Sequence, residues 1–157
     1  MTNMKRRTFL KGSVAAGAVG AAVSAGLLTP RMVMAAWPTA AFEAKNVDGA
    51  LDSLVGSHAL EGSDKIAIRA PDIAENGAVV PVSVETSIAN AESISIIAEK
   101  NSAPLTASFV MGAGAEGFVS TRIKMGKTSS VIAVVKADGK LYSTGKEVKV
   151  TIGGCGG

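Results

Sequence analysis

Cysteine and histidine are almost absent from this 157-residue chain, with one of each, Cys155 and His58. One cysteine excludes paired-cysteine zinc ligation and the C-x-x-C-H attachment of haem. Aromatic residues are nearly as scarce, with four Phe, one Trp and one Tyr, so Val, Ile and Ala have to fill whatever core exists. Acidic residues are missing from the first 36 positions, which hold Lys5, Arg6, Arg7, Lys11 and Arg31. Removing those five from the 16 basic residues leaves 11 against 13 acidic ones, a net charge of −2 where the whole chain has +3. The basic balance therefore belongs to the leader, and it argues for neither a nucleic-acid nor a membrane partner. Met1, Met4, Met32 and Met34 also lie there, so Met111 and Met125 are all that remain, and a methionine-rich copper site is excluded.

What the leader has is a charged start, "KRRTFLK", an Ala/Gly-rich apolar run from Gly12 to Leu28, and small residues at Ala35 and Ala36. That order describes a secretory signal. Arg6 and Arg7 followed by Thr8, Phe9 and Leu10 resemble the twin-arginine export signal, which carries folded proteins to the periplasm. The apolar run falls short of the ~20 strongly apolar residues a membrane span needs, so no anchor is expected after cleavage. We therefore read residues 1–36 as signal peptide, 37–152 as one domain and 153–157 as a tail.

The domain opens with one helical candidate, Trp37 to Gly56, in which Phe42, Val47, Leu51, Leu54 and Val55 form a stripe. After it the pattern has period two. Strands are expected over Asp64–Ala70, Glu75–Glu85 (an Asn76-Gly77 turn signal leading into a strand with Val80, Val82 and Val84 on one face), Glu92–Lys100 (with Ile94 and Ile96 on one face), Leu105–Met111, Phe118–Met125 and Ser129–Ala137. Asp138-Gly139 then reads as a tight hairpin turn into a last strand ending at Ile152. Seven short strands with regular turn signals predict an all-β, immunoglobulin-like β-sandwich with one N-terminal helix. The unbroken apolar run Val131–Val135 predicts a central strand covered on both faces, and Pro81 predicts an edge or a bulge.

Three features invite chemistry that the residues do not support. "GAGAEG" at Gly112–Gly117 fits G-x-G-x-x-G, but the alternating "FVSTRIKM" after it cannot be the phosphate-capping helix that motif requires. Asp72 and Glu75 sit in a turn, where surface carboxylates are ordinary. His58 lies in the solvated loop "GSHALEG"; a Cys155–His58 nucleophilic pair would need the tail to fold back onto it, and nothing in the sequence encodes that.

The tail, "GGCGG", sets Cys155 between Gly153, Gly154, Gly156 and Gly157. Three extended residues at ~3.3 Å each carry the thiol roughly 10 Å beyond the last strand. Four glycines leave the arm slim and free in φ, able to enter a channel that side chains would block. Ordering such residues costs on the order of 1–2 kcal/mol each, so docking of the arm is expected to be weak and transient. Nothing in the arm lowers the thiol pKa; a thiol at the ordinary ~8.5 is only about 3% thiolate at pH 7. A group carried into another protein's active site fits this description better than a catalyst does.

The GGCGG terminus, together with "PDIAENGAVVPVSVE", "AEKNSAPLTASF" and "TRIKM", resembles the SoxY family, the sulfur-carrier subunits of the periplasmic thiosulfate-oxidation (Sox) system. The resemblance runs from the leader to the last residue. It implies that Cys155 is the covalent attachment point for thiosulfate-derived sulfur, with no other cofactor and no metal, and that the four glycines form a swinging arm. It also implies an obligate partner, SoxZ, which lacks its own signal and would be co-exported on this leader. Further implied partners are the haem protein SoxXA, the hydrolase SoxB and, where present, the sulfane dehydrogenase SoxCD. Two other classes stay open on the residues alone. One is a terminal thiocarboxylate carrier, which the export signal contradicts. The other is a structural periplasmic Ig-like domain whose exposed cysteine forms an intermolecular disulfide.

The mature chain is expected to start at Ala36 or Trp37, and changing Arg6 and Arg7 to Lys should leave both it and its partner in the cytoplasm. N-terminal sequencing of periplasmic protein checks this; Met1 at the terminus would overturn it.

Overall fold

The computed structural model describes residues 37–151. Two helices come first, α1 (Thr39–Glu43) and α2 (Val47–Val55), where the sequence predicts one. The break has a local cause. Asn46 adopts extended backbone and caps α2, its side-chain oxygen accepting from the Gly49 N–H at 2.6 Å, which starts a new helix in place of continuing the old one. Helix α2 ends at Gly56, which takes φ 79° and donates its N–H to the Asp52 carbonyl at 3.0 Å. Trp37 stacks on Phe42 with ring centroids 4.5 Å apart.

Nine strands follow: β1 (Leu60–Gly62), β2 (Ile66–Arg69), β3 (Ile73–Ala74), β4 (Val80–Thr86), β5 (Ala91–Ala98), β6 (Leu105–Val110), β7 (Phe118–Ile123), β8 (Ser129–Ala137) and β9 (Lys140–Val150). The two beyond the expected seven are β1 and β3, three and two residues long, too short to show an alternation. Both pair parallel with β9, Leu60 opposite Leu141 and Ala74 opposite Val150. The larger sheet runs β1-β9-β8-β5-β6, with β3 also on β9, and the smaller runs β2-β4-β7. Facing each other, the two sheets form an immunoglobulin-like sandwich.

The register shows why these residues make this core. Val80, Val82 and Val84 of β4 face Ile94 and Ile96 of β5 and Val131, Ala133 and Val135 of β8, all fully buried between the sheets. The alternate residues Ile97 and Val134 lie on the other side of the larger sheet, where Leu51, Ala50 and Ala41 of the helices cover them with Leu105 and Leu141. Strand β8 is thus central and apolar on both faces, as its sequence predicts. The Asp138-Gly139 turn has φ of 49° and 75°, the primed hairpin geometry that matches strand twist. Within Glu75–Glu85 the expected Asn76-Gly77 turn precedes the strand, the Asn76 side chain accepting from the Ala78 N–H at 2.9 Å, and β4 begins at Val80.

Pro81 departs from the expectation, since β4 is the middle strand of its sheet. On the β2 side, however, pairing stops at Arg69–Ser83, so Pro81, opposite Arg122 of β7, lies past the end of that neighbour. The missing N–H therefore costs no ladder bond. The "GAGAEG" segment joins β6 to β7 with Gly114 at φ 77°, a strand-to-strand connection with no helix behind it. No helix among the described residues is long and apolar enough to cross a membrane.

Leu51 is the plug between helix and sheet, 1% exposed. Leu51→Ala should destabilise the domain by about 2–5 kcal/mol. Chemical denaturation measures this; a loss below 1 kcal/mol would show that the helices lie outside the cooperative unit.

Candidate functional site

The residues that the sequence marks for function, Cys155 with Gly153, Gly154, Gly156 and Gly157, and Arg6, Arg7, Phe9 and Leu10 of the leader, lie outside the described residues, as does Ile152. What the structure defines is the platform from which the tail departs.

That platform is the end of β9, and it is held from both sides. Val148 is fully buried opposite Ser129 of β8, and Val150 packs against the edge of the main core. On the other side β3 runs parallel: the Lys149 N–H donates to the Asp72 carbonyl at 2.9 Å, and the Thr151 N–H to the Ala74 carbonyl at 3.1 Å. Past the last β8 pair, the Thr128 side chain takes over. Its hydroxyl accepts from the Val150 N–H at 2.9 Å and donates to the Val150 carbonyl at 3.4 Å. The turn before β4 seals the corner. Gly77 accepts from the Met125 N–H at 2.7 Å, and a Cβ there would collide with the Met125 carbonyl oxygen and with Val150 Cγ1, which is why this position is glycine. The strand is thus paired up to Thr151, the last described residue. The strand itself ends at Val150, two residues before the expected Ile152, because Thr151 keeps only the β3 side of the ladder.

Asp72 belongs to this support. Its carboxylate lies 3.0 Å from Lys146 Nζ, which also donates to the Ala70 carbonyl at 2.6 Å. An ion pair this exposed adds little stability, and its effect is to lay the chain before β3 along β9. Among the described residues no group of three His, Cys, Asp or Glu side chains could hold a metal ion.

His58 lies at the other end of β9. It precedes β1, whose Leu60 pairs with Leu141 at the start of that strand. From Leu141 to Val150 the extended backbone covers about 30 Å. Cys155 lies four residue steps past Thr151, a reach of about 13 Å at ~3.3 Å per step. The arm does not span that distance, and a Cys155–His58 pair is out of reach. His58 has a nearer partner: its Nδ1 donates to Asp52, 2.8 and 3.0 Å from the two carboxylate oxygens. That hydrogen bond, helped by the charge of Asp52 and more weakly of Asp48, raises the imidazole pKa above 6.5. The support residues Thr128 and Gly77 escaped the sequence reading, because their partners are far away in the chain and leave no periodic mark.

The family model for sulfur oxidation protein SoxY matches residues 51–155, from α2 through the tail cysteine. The chain belongs to the SoxY family. A solved structure, that of the sulfur carrier protein SoxY from Chlorobium limicola f thiosulfatophilum, is 48% identical with a TM-score of 0.61, covering 67% of this chain and 96% of that one. No curated protein matches.

The raised pKa of His58 fixes a sign. Below pH 6.5 the imidazolium is bound to Asp52 and the pair favours the folded state; the contribution is lost as pH rises through the raised folded pKa. The His58 ring should titrate above 6.5 by NMR and return towards 6.5 in Asp52→Asn. An unchanged midpoint in that variant would disprove the pairing.

Proposed function

We propose that this chain carries sulfur covalently on Cys155 during periplasmic thiosulfate oxidation, and that the glycines around it form a swinging arm. The observation that carries the reading is the SoxY family match reaching residue 155, in a chain whose last described strand is clamped up to Thr151. A fixed root followed by four glycines and a cysteine suits delivery: the domain stays with its partner while the thiol travels. The Chlorobium relative is itself described as a sulfur carrier.

Loading is an oxidation. The Cys155 thiol joins the outer sulfur of thiosulfate to give Cys–S–S–SO3⁻, releasing one proton and two electrons. Those electrons pass to the haem protein SoxXA. SoxB then hydrolyses the terminal sulfonate to sulfate, and SoxCD, in organisms that have it, oxidises the remaining sulfane. The chain itself is a non-catalytic substrate carrier with no cofactor beyond the adduct.

An obligate heterodimer with SoxZ completes the reading. A core short of aromatics and export in a folded state both favour a partner acquired before translocation. The edge strands β6 and β7 support one, leaving Val110 and Phe118 exposed on either side of the GAGAEG loop. Twin-arginine export through Arg6 and Arg7 brings the pair to the periplasm.

Cys155→Ser should abolish thiosulfate-dependent turnover with thermal stability unchanged. Gly154→Val and Gly156→Val should slow loading and unloading sharply, since a branched side chain restricts φ and widens the arm, at a stability change within about 0.5 kcal/mol. His58→Ala should do little. A reconstituted system with cytochrome c as electron acceptor reads all four variants. Full activity in both valine variants would sink the swinging arm; full activity in Cys155→Ser would sink the carrier.

A further inference from the structure

At the end of the sandwich where β9 terminates, β5 hands over to β6 and β7 to β8, and the two connecting turns enclose a depression of about 580 Å³. Lys100, Asn101 and Ser102 line it from the first turn, and Lys124, Gly126 and Lys127 from the second. Three ammonium groups surround it and no carboxylate lines it, in a mature chain whose net charge is −2. None of the three lysines is within ion-pair distance of a carboxylate among the described residues.

The floor is built. The Asn101 side-chain amide donates to the Lys124 carbonyl at 2.7 Å, and its oxygen accepts from the Gly126 N–H at 2.9 Å. That amide ties the two turns together and sets the spacing of the lysines they carry. A wall of the depression also adjoins the arm root, because Lys127 directly precedes Thr128, the residue that clamps Val150.

We propose that this depression is a docking site for a sulfur oxyanion, the terminal sulfonate of the group on Cys155 or of free thiosulfate. The proposal rests on the carrier reading for its choice of anion. Lysine heads are point donors suited to an oxyanion, and three of them more than offset the charge of one. Reach agrees: the arm extends about 13 Å past Thr151, and the lysine wall begins one residue from the contact that holds Val150. Exposed charges in water give weak binding, millimolar for a free ion. A short flexible tether supplies an effective concentration in the same millimolar range, so the same weak site is substantially occupied by a tethered anion. Docking of this strength shields the adduct between encounters and releases it to an enzyme without a large barrier.

The test uses the exported protein with its co-purifying partner, ¹⁵N-labelled. Tetrathionate loads the thiol chemically: the Cys155 thiolate attacks an inner sulfur, forming Cys–S–S–SO3⁻ and displacing thiosulfate. The amides of Lys100, Asn101, Gly126 and Lys127 should shift on loading, and should not shift when Cys155 is capped with neutral iodoacetamide. Titrating free thiosulfate into Cys155→Ser shows whether the unbound anion docks too. Lys100→Gln, Lys124→Gln and Lys127→Gln together should weaken either response about tenfold, and salt near 0.5 M should weaken it similarly. All three side chains are exposed, so the triple variant is expected to keep its melting temperature; Lys127→Gln alone provides a milder version. Shifts with the tethered anion, the free one or both support the site and name its source. No shift with either, or shifts that survive the triple change, overturn it. Tetrathionate labels the thiol whatever its role, so such a failure leaves the carrier reading standing. That reading fails separately, if intact mass shows no sulfur adduct on periplasmic protein from thiosulfate-grown cells.

Discussion

Everything about this domain that bears on its tail depends on the double-sided pairing of β9. The strand takes β8 along one edge and two short parallel strands along the other, β1 near its start and β3 at its end. A C-terminal strand with one free edge would fray, because terminal residues lose their bonds first. Here the fraying is stopped by three elements from distant parts of the chain: the β3 ladder, the Thr128 hydroxyl and the close approach of Gly77. The point up to which the strand is held is therefore set by tertiary contacts.

A fixed root is useful because a short arm has little reach to spare. Each residue lost to fraying would add about 3.3 Å of uncontrolled chain, a large fraction of a reach of about 13 Å. The rest of the architecture serves this end. The helices cover the outer face of the larger sheet through Leu51, Ile97 and Val134, leaving both faces of β8 dry. With β8 immobilised on two sides, its neighbour β9 inherits a rigid template along most of its length.

The sequence was legible where one strand or one turn decides the outcome. Val80, Val82 and Val84 face inward as their spacing requires, Val131–Val135 is covered on both faces, and Asp138-Gly139 closes the β8–β9 hairpin. It was illegible where a residue's role is set by a distant partner. The Asn46 cap is a different case: its partner Gly49 is only three residues away, and an apolar stripe running straight across the break conceals it. Strands β1 and β3 exist because β9 offers them an edge, and two or three residues cannot announce that. Asn101 looks like an ordinary turn residue until the β7–β8 turn is seen against it. The tail is the reverse case, since the role proposed for its five residues rests on the sequence and on no packing.

Charge links the tail to the body. Residues 37–157 are net negative, and so is the adduct proposed for Cys155, so the average field of the domain would repel that adduct. The Debye length at physiological salt is about 8 Å, which is shorter than an arm of about 13 Å. At the proposed docking site the nearest charges are Lys100, Lys124 and Lys127, with no carboxylate lining the depression they share. In the proposed hand-over, a sulfonate extended into a partner would lie beyond the screening distance of the lysines and feel the partner's charges in their place. Attraction confined to the folded-back arm costs the hand-over little, and this is the property a carrier needs from a site on its own surface.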